Sequence, residues 1–110
     1  MGLDIVITSE GSGGSTIVLQ GELDIYTVND FRTQTEPIAL SDEQITIDLR
    51  GVELIDSSGL AVLARLASGR TPTLVCPDPA LVRLFSITAL DRCFRIVRDV
   101  PPTPASEEVR

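Results

Sequence analysis

Ile45 to Gly69 reads ITIDLRGVELIDSSGLAVLARLASG. Ile45, Ile47 and Leu49 alternate with Thr46, Asp48 and Arg50, the period-two pattern of a buried strand. A short acidic turn is expected next. Leu60 to Ala67 is almost wholly apolar, with Arg65 its only charge. Its leucine and alanine content favours a helix, and Gly69 stands where a glycine stop is expected just past the helix end. Between strand and helix lies Asp56-Ser57-Ser58-Gly59. In open sheets such a handover exposes side chains and backbone N–H groups at one edge.

Outward from this stretch the chain alternates strands and helices. Leu3 to Thr8 (LDIVIT) is rich in β-branched residues and predicts a first strand. Ser9 to Ser15 (SEGSGGS) is a glycine-rich connection, and with no GK[ST] after it a phosphate-binding loop is rejected. Thr16 to Gln20 predicts a second strand, antiparallel to the first because the loop is too short for a crossover. Gly21-Glu22-Leu23-Asp24-Ile25-Tyr26 is a second strand-to-helix junction. The Thr27 hydroxyl is expected to cap the helix that follows, with Asp30 near its positive end. Val28 and Phe31 give that helix an apolar side, and Pro37 is expected to end or kink it. Thr73 to Cys76 predicts a fourth strand, and Asp78-Pro79 a cap and first position of a helix. Leu81, Leu84, Phe85 and Thr88 then keep helical spacing, and Phe94 to Val97 predicts a fifth strand. From Asp99 onward the periodicity stops, and Pro101, Pro102 and Pro104 precede Glu107 and Glu108. That composition predicts a flexible tail.

The expected fold is therefore a single α/β domain over residues 1–98 with a C-terminal tail over 99–110. Its sheet is five-stranded and mostly parallel, with an antiparallel N-terminal strand, right-handed crossovers and packed helices. Asp56-Ser57-Ser58-Gly59-Leu60 after a strand resembles the signature of bacterial anti-sigma factor antagonists of the STAS family. The resemblance extends to Gly21-Glu22-Leu23-Asp24 before a helix start, and to Leu81 through Ile96 as the third helix and last strand. It covers about Leu3 to Val97. STAS domains commonly end with another helix, which the proline-rich tail leaves short or missing.

Composition bounds the function. The 110 residues suit one domain. With 9 basic and 16 acidic residues the net charge is −7, which argues against nucleic acid and anionic membranes as partners. No apolar run approaches the roughly eighteen residues of a membrane span, and no basic segment precedes an apolar stretch as in a secretory signal. A cytoplasmic location is expected. Histidine is absent, so no Ser-His-Asp triad and no histidine base can form. Cys76 and Cys93 alone cannot make a structural zinc site and are expected to be reduced, partly buried thiols. No metal or other cofactor is expected.

Three chemistries compete at Asp56-Ser57-Ser58-Gly59. Asp56 or Ser57 can cap the helix, worth about 1 kcal/mol. A nucleophilic serine would need a base that this chain lacks, so an enzyme is not expected. A serine in the first helical turn can instead accept a phosphoryl group near backbone N–H donors and the positive dipole end. Chemistry alone does not separate Ser57 from Ser58; the STAS resemblance selects Ser58. A glycine at 59 would let a kinase site approach closely. The resemblance further implies a regulator whose unphosphorylated form binds an anti-sigma factor with a histidine-kinase-like ATPase fold and so frees the sigma factor. The same partner or a relative would phosphorylate Ser58, and a metal-dependent serine phosphatase would reset it. The implied contact surface joins Asp24, Tyr26, Asp56, Ser57 and Gly59 to Ser58 along one sheet edge. An alternative keeps the fold as an unphosphorylated STAS scaffold subunit of a sensory or lipid-transport assembly.

Overall fold

Alternating β-branched residues place the start of the chain in a hairpin. In a computed structural model, which describes residues 2–10, 13–41 and 43–99, β1 (Leu3–Glu10) pairs antiparallel with β2 (Gly14–Leu23). There follow α1 (Val28–Ala39), β3 (Gln44–Ile55), α2 (Ser57–Leu66), β4 (Thr73–Val75), α3 (Pro79–Ile87), a 3-10 turn (Leu90–Arg92) and β5 (Arg95–Val97). The expected C-terminal tail falls outside the described residues beyond Asp99.

The sheet order is β1-β2-β3-β4-β5, with every pair after the first parallel. When parallel strands are laid down in chain order, right-handed crossovers put every connecting helix on the same face. The core agrees. Ile17, Leu19, Ile47, Leu49 and Leu74 of the strands form one cluster with Phe31 of α1, Leu63 of α2 and Phe85 of α3. Phe85 meets Phe94 edge to face, ring centroids 5.8 Å apart. Cys76 is fully buried beside this cluster and Cys93 half-buried, both as free thiols.

β3 is longer than the alternation predicts. The turn expected after Arg50 is strand, and pairing with β2 continues to Ile55. Two register shifts, between Val18 and Gln20 and between Gly21 and Glu22, each place one extra residue in β3. Each bulge reverses which parity of residue faces inward. Leu49, Val52 and Ile55 are therefore all buried although three residues apart. Period-two reading stops at the first bulge, which is why the sequence suggested a turn.

Two helix ends also differ from expectation. α1 runs through Pro37 to Ala39; the proline removes one backbone N–H, and only Ile38 and Ala39 of the helix follow it. The carbonyl oxygens there are taken up by the Arg70 guanidinium, which donates to Ile38, Ala39, Ser41 and Glu43. The Thr27 hydroxyl does not cap α1. It accepts from Asp24 N (3.0 Å) and donates to Glu22 O (2.8 Å), closing the junction before the helix. The Asp78 cap forms as expected, accepting from Ala80 N at 2.9 Å with Pro79 at the first position.

The sheet face away from the helices carries a cross-strand row of Val6, Val18, Asp48, Val75 and Val97. Asp48 is buried there and held by Arg50, whose Nε lies 3.0 Å from Oδ1 and whose second nitrogen lies 2.8 Å from Oδ2. Burial alone would push this carboxyl up; the hydrogen bonds and charge of Arg50 outweigh it and hold it below its usual value. The folded carboxyl thus binds its proton less tightly than the unfolded one. Its contribution to stability is present above the ordinary aspartate value of about 3.9 and is lost as pH falls through the lower folded value. Asp48→Asn should melt about 5 °C below wild type at pH 7, the shift that about 1 kcal/mol produces in a domain of this size. The gap should begin to narrow near about pH 4 and close as pH falls through the lower folded value. Circular dichroism melts from pH 3 to 7 measure it, and a gap unchanged by pH would show that the charge plays no part.

Candidate functional site

β2 and β3 are adjacent and parallel, and Leu23 is in register with Ile55, so their following junctions lie side by side. Asp56 ties the two together. Its Oδ1 accepts from Gly59 N at 2.9 Å, the N-cap bond of α2. Its Oδ2 accepts from Ile25 N at 3.1 Å, across in the β2–α1 junction. Its own N–H donates to Leu23 O at 3.2 Å. In that neighbouring junction Asp24 Oδ1 accepts from Tyr26 N at 3.0 Å, so both carboxylates are engaged with backbone.

The structure brings Asp24, Tyr26, Asp56, Ser57, Ser58 and Gly59 to one end of the sheet. They are not equally available. Ser57 is exposed and Ser58 half-buried, in the first turn of α2, and neither hydroxyl has a hydrogen-bond partner among the described residues. Tyr26 is 89% exposed. Gly59 is interior. A Cβ there would collide with the Leu23 backbone oxygen and come within 2.9 Å of Ile55 Cγ2. The glycine is required by the close approach of α2 to the end of β2, not by an approach from outside, which corrects the reason read from sequence.

Two apolar side chains join this surface that the sequence reading missed. Ile25 is 60% and Leu54 47% exposed, beside Tyr26 and two residues before Asp56. Leu54 looks like a strand-interior residue until the second bulge turns it outward. Also missed was a groove of about 310 Å³ between α1 and α2, lined by Val28, Asn29, Arg32, Ser58, Ala61 and Arg65. Arg65 sits seven residues beyond Ser58, so a helical wheel carries that half of the signal; Arg32 reaches the groove only through tertiary packing.

The fold shapes what this end can bind. Ligand crevices in open α/β sheets form where the strand order reverses. This order never reverses, so the junctions make an exposed edge rather than a cleft between opposed crossovers. A larger groove, about 790 Å³, lies away from it between α3 and β5 and is lined by Cys76, Pro79, Val82, Arg83, Ile96 and Arg98. It brings together no acid–base pair. Among the described residues no three His, Cys, Asp or Glu side chains converge to hold a metal ion. No described helix is long and apolar enough to cross a membrane.

Removing the Asp56 carboxylate should loosen both junctions. Asp56→Ala should destabilise by about 2 kcal/mol, as loss of a cap and a further hydrogen bond, and speed amide exchange at Ile25 and Gly59 together. Gly59→Ala should cost about 3 kcal/mol through overpacking against backbone, whereas Ser57→Ala should stay within about 0.5 kcal/mol. Urea unfolding and hydrogen exchange read these values; acceleration at Gly59 alone would show that the two junctions are independent.

Residues 7–98 match the profile of a protein family described as "Mlab, STAS domain". A STAS-domain containing protein of Pseudomonas aeruginosa is 30% identical over 86 residues, covering 74% of this chain and 85% of that protein. The fold is similar to that of an anti-sigma factor antagonist from Mycobacterium paratuberculosis, with a TM-score of 0.79, 23% identity and coverage of 89% of this chain and 87% of the other. It is also similar to the phosphorylated form of the Bacillus cell fate determinant SpoIIAA, with a TM-score of 0.66, 21% identity and coverage of 97% and 100%.

Proposed function

The chain belongs to the STAS domain family, and we propose that within it the chain acts as an anti-sigma factor antagonist switched by phosphorylation of Ser58. The observation that carries this reading is the Ser58 hydroxyl in the first turn of α2, without a hydrogen-bond partner among the described residues and at the same end of the sheet as the exposed Tyr26. The unphosphorylated protein binds an anti-sigma factor with a histidine-kinase-like ATPase fold in the cytoplasm, and the sigma factor is freed. Tyr26, Ile25 and Leu54 offer the apolar contact area, aromatic anchors being frequent in such interfaces. Ser57, Ser58 and the rims of Asp24 and Asp56 form the polar part, with Gly59 setting their height from below. That SpoIIAA, of similar fold, is described in a phosphorylated form supports phosphorylation as a state this fold can carry.

In the switching step the Ser58 oxygen attacks the γ-phosphorus of ATP, a new O–P bond forms, the bond to the bridging oxygen breaks and ADP leaves. The base, metal and nucleotide come from the kinase, so the antagonist needs no catalytic group of its own. A chain without histidine, and with no base bonded to either serine among the described residues, suits the role of substrate and ligand rather than enzyme. A metal-dependent serine phosphatase then resets the protein.

A second reading rests on the matched profile, which is named for Mlab rather than for an antagonist. In it the same surface holds this chain as an unphosphorylated scaffold subunit of a sensory or lipid-transport assembly.

Pull-down from the source cell with wild-type and Ser58→Ala baits, read by mass spectrometry, separates the two. Capture of an ATPase-fold anti-sigma factor that transfers phosphate to Ser58 supports the switch. By calorimetry the phosphorylated protein should bind that partner roughly a hundredfold more weakly, about 2.8 kcal/mol, while circular dichroism stays unchanged. Equal affinity of the two forms would sink the switch.

A further inference from the structure

α1 and α2 each leave the C-terminal end of one of two parallel neighbouring strands, so they run side by side in the same direction. Their facing stripes are Val28, Asn29, Arg32 and Glu36 on α1, and Ser58, Ala61 and Arg65 on α2, each step three or four residues apart after the first. The Arg65–Glu36 ion pair, 3.0 Å, pins the register. Between the first turns lies the groove of about 310 Å³ into which Ser58, Arg32 and Arg65 all face.

The charges around this groove are unevenly committed. Asp56 is engaged with Gly59 N and Ile25 N, Asp24 with Tyr26 N, and Asp30 with Gln34 Nε2. Arg32 has no ion partner among the described residues. Arg65 uses a single terminal nitrogen for both Glu36 oxygens, and the rest of its five N–H donors have no partner among the described residues. It lies two turns beyond Ser58, about 10 Å along the axis, and helical side chains lean toward the N-terminus. The positive ends of both helices point to the same place.

We propose that a phosphoryl group on Ser58 is seated in the α1–α2 groove and clamped there by Arg32 and Arg65. The inference rests on the reading of Ser58 as the modified residue. The phosphoprotein then carries its own counter-charge, recruiting Arg32 and drawing Arg65 partly from Glu36. Arginine is suited to this because its planar fork holds phosphate through paired hydrogen bonds. The partner is lost because the first turns of α1 and α2 are tied together around the phosphate, and not only because Asp24 and Asp56 lie near.

The test places phosphoserine at position 58 during translation, so that no kinase is needed, and follows its second ionisation by phosphorus NMR. Near arginines the dianion is favoured, and the value should fall below the ordinary value of about 6 by about half a unit. Arg32→Gln and Arg65→Gln should each raise it again. Glu36→Gln, which releases Arg65, should lower it further. A value at or above 6 that the arginine substitutions leave unmoved would overturn the clamp, since carboxylate neighbours alone push it up. The two proposals fail separately. Absence of any kinase acting on Ser58 removes the switch without touching this titration, whereas a titration insensitive to both arginines removes the clamp and leaves the switch.

Discussion

The Asp56 carboxylate is the contact on which the exposed end of the domain depends. One oxygen caps the start of α2 and the other holds the backbone of the neighbouring junction, so a single side chain sets two loops against each other. Hydrogen bonds to an ionised acceptor are roughly twice as strong as neutral ones, and this carboxylate is half-buried, where solvent competes less. Gly59 is the steric partner of that bond. Only a residue without Cβ lets the first turn of α2 come down onto Leu23 and Ile55. Asp56 and Gly59 thus act beneath the surface, and their work is to hold Ser57 and Ser58 up at its edge.

The strand order decides the rest of the character of that edge. With β2 to β5 added in sequence, all three helices cover one face, and the junctions stand in a line. A fold of this kind presents an edge suited to another protein rather than a crevice suited to a small molecule. Two other charged clusters lie away from it. Arg70 closes the far end of α1 through four carbonyl oxygens, and the Asp48–Arg50 pair sits on the opposite face of the sheet. The domain can therefore change charge at Ser58 without disturbing the ionic contacts that hold it together, apart from the Arg65–Glu36 pair at the groove.

The order of strands and helices, the antiparallel first pair and the position of the serine motif were legible in the chain, because each follows from local pattern. Period-two alternation, Asp78-Pro79 and Asp56-Ser57-Ser58-Gly59 act within a few residues, and local sterics and capping decide them. What local pattern could not hold was the length of β3. Its two bulges exist only through pairing with β2, and they turn Val52 and Ile55 inward and Leu54 outward. The same holds for Thr27, drawn from capping into the junction by Glu22 and Asp24, and for the end of α1, whose last carbonyl oxygens are taken up by Arg70 from more than thirty positions further on. The sequence alone placed Ser58 in a first helical turn among acidic residues. Packing of α1 against α2 decided that it shares a groove with Arg32 and Arg65, since residues 26 positions apart in the chain meet only when two helices fold onto one sheet face.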